Sequence, residues 1–155
     1  MTTIFQIELD IPAERAWVAV GEKFGDTGLW TSFLDSSYME GEVGVGGQRV
    51  CVQGKKKLTE HLTKYDPQTM TLEYELIGGR PAIVKFAGNR WTVVPLGSQR
   101  SKLTMSPTSQ LRWWALPLAP VMSLVLRAIL PKVLEEFKCW AETGELHPRK
   151  KAKTA

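Results

Sequence analysis

The sequence predicts an α+β fold in which a curved antiparallel sheet of roughly six or seven strands wraps around one long C-terminal helix. Residues 119–141 form an apolar helical pattern that follows a long run of alternating strands. No strand–helix–strand alternation of the kind found in parallel sheets precedes it. Because a helix and a one-sided sheet each have one apolar face, we expect these two faces to pack together.

The apolar face of the long helix is narrow. At about 100° per residue, six large side chains fall within an arc of roughly 80°. They are Met122, Leu126, Ile129, Val133, Phe137 and Trp140. Pro131 lies inside the helix and is predicted to kink it, because proline removes a backbone donor and clashes with the carbonyl four residues before it.

The elements before this helix are predicted from alternation and turn residues. A short helix opens at Pro12 and ends near Gly25, and a second short helix or turn covers residues 27–32. The clearest alternation runs from residue 70 to 77, and the turn Asp66-Pro67 joins it to the strand before it. The predicted strands are residues 2–10, 35–43, 48–53, 58–65, 70–77, 83–94 and 102–106.

Length and charge point to one domain. The 155-residue chain is 43% hydrophobic, which suffices for one core. We assign that domain to residues 1–146 and predict a disordered basic tail at 147–155, because the tail lacks large apolar side chains. We expect no secretory signal and a cytoplasmic location.

The net charge of +4 comes largely from two basic clusters, which are interpreted as solvated surface. One is the tail, and the other is residues 55–57. A recognition helix or a basic face interleaved with aromatic residues is missing from the pattern, so nucleic-acid binding is not expected. Cys51 and Cys139 are far apart and are predicted to be reduced thiols, with neither a metal site nor a cofactor.

Residues 113–126 contain no charged residue but include two prolines, and they fall short of the roughly 20 residues that span a bilayer. Trp113 and Trp114 have two interpretations. They pack at the core or at a cavity mouth, or they make a weak contact with a membrane surface.

Five segments, in this order and spacing, carry a resemblance to a known superfamily. They are residues 11–17, 24–36, 47–52, 58–67 and 74–79. Together they resemble the SRPBCC helix-grip superfamily, which includes START lipid-transfer domains, polyketide cyclase/dehydrase-like proteins and birch pollen allergen (Bet v 1-like) relatives. The resemblance covers residues 3–142 and implies a cavity between the sheet and the final helix.

The resemblance also implies which residues line that cavity. On the sheet side these are Phe33, Cys51, Gln53, Glu60, Tyr74, Leu76, Arg90 and Met105. On the helix side they are Leu126, Ile129 and Val133.

Glu60 is the informative member, because it shares a strand face with Leu58 and Leu62. A carboxylate on an apolar face needs a partner, since burial of an isolated charge is costly. The resemblance makes Arg90 the expected partner. The pair then acts as a structural ion pair, as a ligand-orienting pair, or as a catalytic acid or base.

Departures from the family pattern narrow the range of functions expected of this chain. Thr31 stands where plant abscisic-acid receptors carry a ligand-binding lysine, and residues 54–57 replace their gate loop. The chain lacks the cysteine and histidine clusters of the iron-containing oxygenases. His61 is expected on the outer face of the sheet and His147 in the tail, and neither is predicted to be catalytic.

Three functions follow from these observations. The first is binding or transport of a hydrophobic lipid, polyketide or aromatic molecule in the cavity. The second is a cyclase or dehydratase activity in which Glu60 moves a proton and Arg90 stabilises enolate charge. The third is docking on a membrane or a partner through Trp113, Trp114 and the basic tail.

Overall fold

A computed structural model describes residues 3–155 and has the predicted α+β helix-grip architecture. Seven antiparallel strands form one sheet in the order β1-β7-β6-β5-β4-β3-β2. The strands are β1 Phe5–Leu9, β2 Ser36–Glu40, β3 Gln48–Gln53, β4 Lys56–Asp66, β5 Thr71–Gly78, β6 Val84–Gly97 and β7 Arg100–Leu111. The first predicted strand began at residue 2, which lies outside the described residues.

The helices occupy three parts of the chain. After β1 come α1 (Ala13–Trp17), a π-helical turn (Val18–Glu22), a 3-10 turn (Phe24–Asp26) and α2 (Thr27–Trp30). A 3-10 turn (Trp113–Leu118) then leads into α3 (Ala119–Thr143), and α4 (Pro148–Thr154) closes the chain. α3 is one continuous helix through Pro131, and the predicted kink stays a prediction.

The core lies between the inner face of the sheet, the short helices and the C-terminal half of α3. Phe137 contacts Trp30 and Trp91 edge-on, with ring centroids 5.3 and 6.5 Å apart. Leu134 and Ala141 are buried beside it. Gly144 ends α3 in the left-handed conformation (φ 74°), which glycine adopts without steric cost.

The N-terminal half of α3 is packed differently from the C-terminal half. Between residues 119 and 133 no side chain is fully buried, although Met122, Leu126, Ile129 and Leu130 are partly covered. The predicted stripe is therefore only partly covered in the first half of α3 and closes tightly on the core near Phe137. The space left between the first half of α3 and the sheet is the candidate site.

The C-terminal tail differs from the expected disordered segment, because it forms α4. His147 caps this helix, since its Nδ1 accepts a hydrogen bond from the Arg149 amide at 3.1 Å. Arg149 Nε bonds the Glu136 carboxylate at 3.1 Å, and Lys150 Nζ bonds the Leu34 carbonyl at 2.8 Å. The sequence suggested that these basic side chains are solvated. In the structure, Arg149 makes an ionic contact and Lys150 bonds a backbone carbonyl.

Candidate functional site

An ion pair between Arg49 and Glu60 lies on the inner face of the sheet. The two residues are directly opposite on the neighbouring strands β3 and β4. Arg49 Nε lies 2.6 Å from Glu60 Oε2, and Arg49 Nη2 contacts the same oxygen. The Arg49 side chain is 3% exposed and that of Glu60 is 14% exposed. A register shift between Thr59 and Glu60 bends β4 at this point, as bulges do beside functional side chains.

All three nitrogens of the Arg49 guanidinium have a partner. Nη1 donates to the Phe24 carbonyl at 3.0 Å and to the Thr27 hydroxyl at 2.7 Å. The guanidinium carbon sits 3.8 Å from the centroid of the Phe24 ring and 5.1 Å from that of Tyr74. Burial alone lowers the pKa of Arg49, and the Glu60 charge outweighs it, so the net pKa is raised. Arg49 is therefore a fixed cation that ties β3 and β4 to the short helices.

Arg90 is not the partner of Glu60, so that prediction is wrong. Its side chain points to the outer face of the sheet, where Nη2 lies 2.7 Å from Glu73 Oε1 on the neighbouring strand. Side chains alternate along a strand, and Arg90 is one residue out of step with the inward-facing Trp91. A cyclase mechanism that joins Glu60 to Arg90 is excluded by this geometry.

Glu60 lines a small space beneath α3, which we call the inner cleft. Its volume is about 160 Å³. Tyr74, Leu76 and Asn89 line its sheet side, and Leu126 and Leu130 line its helix side. Glu60, Tyr74, Leu76 and Leu126 were predicted at this place, and the structure brings them together.

The inner cleft has a polar end. Asn89 Nδ2 lies 3.3 Å from the Tyr74 hydroxyl, whereas Asn89 Oδ1 is buried without a hydrogen-bond partner among the described residues. Burial, with a further contribution from the Glu60 charge, raises the pKa of Tyr74 to about 12, so its hydroxyl remains protonated at neutral pH. An unpaired buried acceptor costs roughly 1–3 kcal/mol, and a ligand donor would satisfy it.

A larger space, the outer cleft, lies next to the inner cleft, toward one end of the sheet. Its volume is about 430 Å³. Met122 and Leu126 line it from α3, Leu116 from the 3-10 turn, and Leu111 and Lys85 from the strand ends. Leu126 borders both clefts. The two clefts are therefore adjacent at this side chain.

The other predicted pocket residues line neither cleft. Gln53 is exposed and donates to the Phe33 carbonyl at 3.1 Å. Met105 is buried in the core, and Val133 packs against the core. Ile129 is partly buried on α3.

Cys51 sits beside the ion pair, with its Sγ 3.6 Å from Glu60 Oε2. Burial and the Glu60 charge raise the pKa of the Cys51 thiol to about 12. Both cysteines are free, as predicted from their spacing, and Cys139 is partly exposed.

Cys51 should therefore resist alkylation in the native protein at neutral pH, because the thiolate is the reactive form and this thiol stays protonated and buried. Treatment with iodoacetamide followed by peptide mapping should find the label on Cys139 first. The same treatment in denaturant should label both. Comparable labelling of Cys51 in the native protein would contradict this environment.

Three polar residues of the site and its surroundings were not predicted: Arg49, Asn89 and Glu136. Arg49 was accessible to sequence reasoning, because it alternates with Cys51 and Gln53 on the predicted inner face of β3. Asn89 likewise alternates with Trp91 on β6. Glu136 carries no such signal, since it lies one residue from Phe137 on a helix that is apolar on several sides.

The described residues show no second site built on histidine or on metal-ligating side chains. His61 lies next to Glu60 on β4 and so faces the opposite side, as expected, and its Nδ1 is buried without a partner among the described residues. Within residues 3–155, no group of three His, Cys, Asp or Glu side chains could hold a metal ion.

Solved structures with the same fold share little sequence with this chain. The protein XoxI from Bacillus cereus has 17% identity and a TM-score of 0.72, covering 94% of this chain and 99% of that one. Norcoclaurine synthase from Thalictrum flavum, solved with dopamine and hydroxybenzaldehyde, has 15% identity and a TM-score of 0.70, covering 95% and 89%. The di-domain ARO/CYC protein BexL from the BE-7585A biosynthetic pathway has 14% identity and a TM-score of 0.72, covering 89% of this chain and 45% of that one.

No curated protein sequence shows significant similarity to this chain. A family model described as polyketide cyclase / dehydrase and lipid transport matches residues 4–142. That match spans the sheet, both clefts and nearly all of α3. The chain therefore belongs to the polyketide cyclase / dehydrase and lipid transport family of the SRPBCC, Bet v 1-like superfamily.

Proposed function

We propose that this protein binds and carries a hydrophobic small molecule in the passage formed by the inner and outer clefts. The observation that carries the proposal is the gap between the first half of α3 and the sheet, where Met122 and Leu126 face open space. Volumes of roughly 300–1,000 Å³ are usual for small-molecule sites, and the outer cleft alone has about 430 Å³.

The polar inner end indicates the shape of the cargo. Glu60 Oε2 is paired with Arg49, whereas the buried Asn89 amide oxygen has no hydrogen-bond partner among the described residues. A molecule with an apolar body and one hydroxyl or N–H donor at its end fits this arrangement. We infer that the donor lies near Asn89 and Tyr74 and that the apolar body extends past Leu126 toward Leu116.

A carrier accounts for the polar groups better than an enzyme does. The Arg49 guanidinium is held by Glu60, Phe24 and Thr27 and its side chain is 3% exposed, so it is poorly placed to stabilise a developing enolate. A neutral tyrosine and an amide suit binding and orientation. The family description and the ligand complex of norcoclaurine synthase support the use of this fold for small organic molecules.

The direct test is native mass spectrometry of gently purified protein, followed by solvent extraction and identification of any released molecule. We expect a co-purifying species, or uptake of one after exposure to a library of lipids and aromatic compounds. A protein that stays empty in both experiments would refute the carrier proposal.

Leu126→Trp should block the passage, because the larger side chain fills the point where the inner and outer clefts meet. We expect binding of the fluorescent apolar probe 1-anilinonaphthalene-8-sulfonate to fall at least about tenfold in a titration. Leu124→Trp is the matched control, since Leu124 lies on the same helix but is 67% exposed. Equal probe binding by the two variants would place the ligand elsewhere.

A further inference from the structure

The first half of α3 and the turn before it carry an apolar surface that the domain leaves uncovered. Trp113 is 83% exposed, and Trp114, Leu116, Val121 and Leu124 are each more than half exposed. We call these five side chains the docking surface. Val121 and Leu124 lie beside Met122 and Leu126, which line the clefts, so this part of α3 is apolar on two sides. A helix that is apolar on two sides normally has both sides covered, by protein or by lipid.

Length alone would let this helix cross a membrane, since residues Trp113–Thr143 are apolar and long enough. Its C-terminal half is excluded from that role, because Phe137, Leu134 and Ala141 are buried in the core. The docking surface, in contrast, is exposed and free to enter lipid. A helix that presents one apolar face from a folded domain lies in the membrane interface rather than across it.

The end of the sheet that carries the docking surface also gathers basic side chains. Three connections meet there: the β3–β4 turn, the β5–β6 loop and the link from β7 to α3. Hydrogen bonds join the last two. Arg112 Nε bonds the Ala82 carbonyl and Arg80 Nη1 bonds the Lys85 carbonyl, both at 2.9 Å. Thr59 pairs with Gly78, which places the β3–β4 turn with its basic residues 55–57 at the same end.

Few acidic residues offset the charge of these cations. Residues 76–134 contain no Asp or Glu, so every charged residue in this stretch is Lys or Arg. Arg80 and Arg112 bond carbonyl oxygens, which leaves their charge uncancelled. Asp35 lies near the same end, but its carboxylate accepts hydrogen bonds from the Gly54 amide at 2.6 Å and from Lys153 at 3.0 Å.

We propose that this end of the domain docks on an anionic lipid bilayer, with Trp113 and Trp114 at the headgroup level and the surrounding cations against the lipid charges. Tryptophan favours that interface, and basic residues near an anionic surface add to the binding. Lys85 and Leu116 also line the outer cleft, so docking brings the cleft opening to the membrane. The proposal goes beyond the carrier function, because vesicle binding needs no cargo.

The anchor differs from the one predicted from sequence. Trp113 and Trp114 keep their place, but the basic tail is bound to the domain. Arg149 contacts Glu135 and Glu136, and Lys153 contacts Asp35. The cations of the strand ends take the role that the tail was expected to have.

Vesicle flotation tests the docking surface. The probes are vesicles of phosphatidylcholine alone and vesicles of an equimolar mixture of phosphatidylcholine and phosphatidylserine. We expect binding to the mixed vesicles that weakens with added salt. The double variant Trp113→Ala, Trp114→Ala should lower the partition coefficient at least about tenfold. The double variant Lys56→Gln, Lys85→Gln should lower it roughly thirtyfold.

A matched control removes the same charge elsewhere. Lys23 and Lys64 lie toward the other end of the domain, and Lys23→Gln with Lys64→Gln should change vesicle binding by less than about twofold. Leu126→Trp should lose probe binding and keep vesicle binding, which separates failure of the carrier proposal from failure of this one.

Three outcomes would overturn the docking proposal. One is equal binding to both kinds of vesicle, and another is binding that survives loss of both tryptophans. The third is the absence of vesicle binding together with a concentration-dependent dimer that dissociates on Trp113→Ala, which would make a second copy of the chain the occupant of the docking surface.

Discussion

Replacing Arg49 with alanine should lower the free energy of unfolding by about 3–5 kcal/mol. The substitution removes the only charged partner that Glu60 has in the described part of the chain, and Glu60 is 14% exposed. It also removes one of the two donors to the Phe24 carbonyl and leaves the Thr27 hydroxyl without the donor that it accepts from. Chemical denaturation followed by circular dichroism measures the change.

The exposed ion pair on the other face of the sheet supplies the control. Arg90 pairs with Glu73 across neighbouring strands with comparable geometry, but its side chain is 57% exposed. Arg90→Ala should therefore cost less than about 1 kcal/mol. Similar losses for the two arginines would contradict the assignment of Arg49 as the buried structural cation.

A double variant separates the ion pair from its setting. Arg49→Met with Glu60→Leu should recover part of the stability lost in Arg49→Ala, because apolar side chains of similar size often replace a buried ion pair at little cost. A double variant that is less stable than Arg49→Ala would show that the contacts of Arg49 with Phe24 and Thr27 dominate.

Replacing Glu136 with alanine should cost about 2–4 kcal/mol. This carboxylate is fully buried on α3 and joins three parts of the chain. It accepts hydrogen bonds from the Ser32 amide at 2.7 Å and the Ser32 hydroxyl at 2.8 Å, and it also contacts Thr31 and Arg149. Its removal leaves buried donors unpaired and loosens α4.

Glu135 is a matched control for Glu136. It contacts the same Arg149, at 3.0 Å, but its side chain is 55% exposed. Glu135→Ala should cost less than about 1 kcal/mol. Limited trypsin digestion reports on α4 separately, since Glu136→Ala should speed cleavage at Lys150 and Lys151 and Glu135→Ala should not. Equal effects of the two substitutions would rule out the role assigned to Glu136.

Much of the architecture could be predicted because local patterns determine it. Alternation along β5 and the periodic face of α3 indicated which side chains meet, and Tyr74, Leu76 and Leu126 do line one cleft. The partner of Glu60 was missed because the choice between Arg49 and Arg90 depends on which face of the sheet each side chain occupies. Alternation decides that for Arg49, whereas the resemblance to the family favoured Arg90.

The tail and the docking surface were harder to predict, for a different reason. The fold of α4 depends on Glu136, Leu34 and Asp35, which lie far from it along the chain. Composition alone gave no sign of these long-range partners. The apolar pattern of residues 113–126 was visible, but its exposure depends on how far α3 stands from the sheet.

The division of α3 into a packed half and an unpacked half has a consequence for how this protein can change in evolution. Side chains near Phe137 are constrained by the core, where a substitution that leaves a void costs several kcal/mol. Side chains from Leu116 to Leu126 carry a much lighter packing constraint. Substitutions in that half can change which molecules enter the clefts and which surfaces the domain binds. The stability of the domain is maintained by other residues, which take part in neither kind of binding.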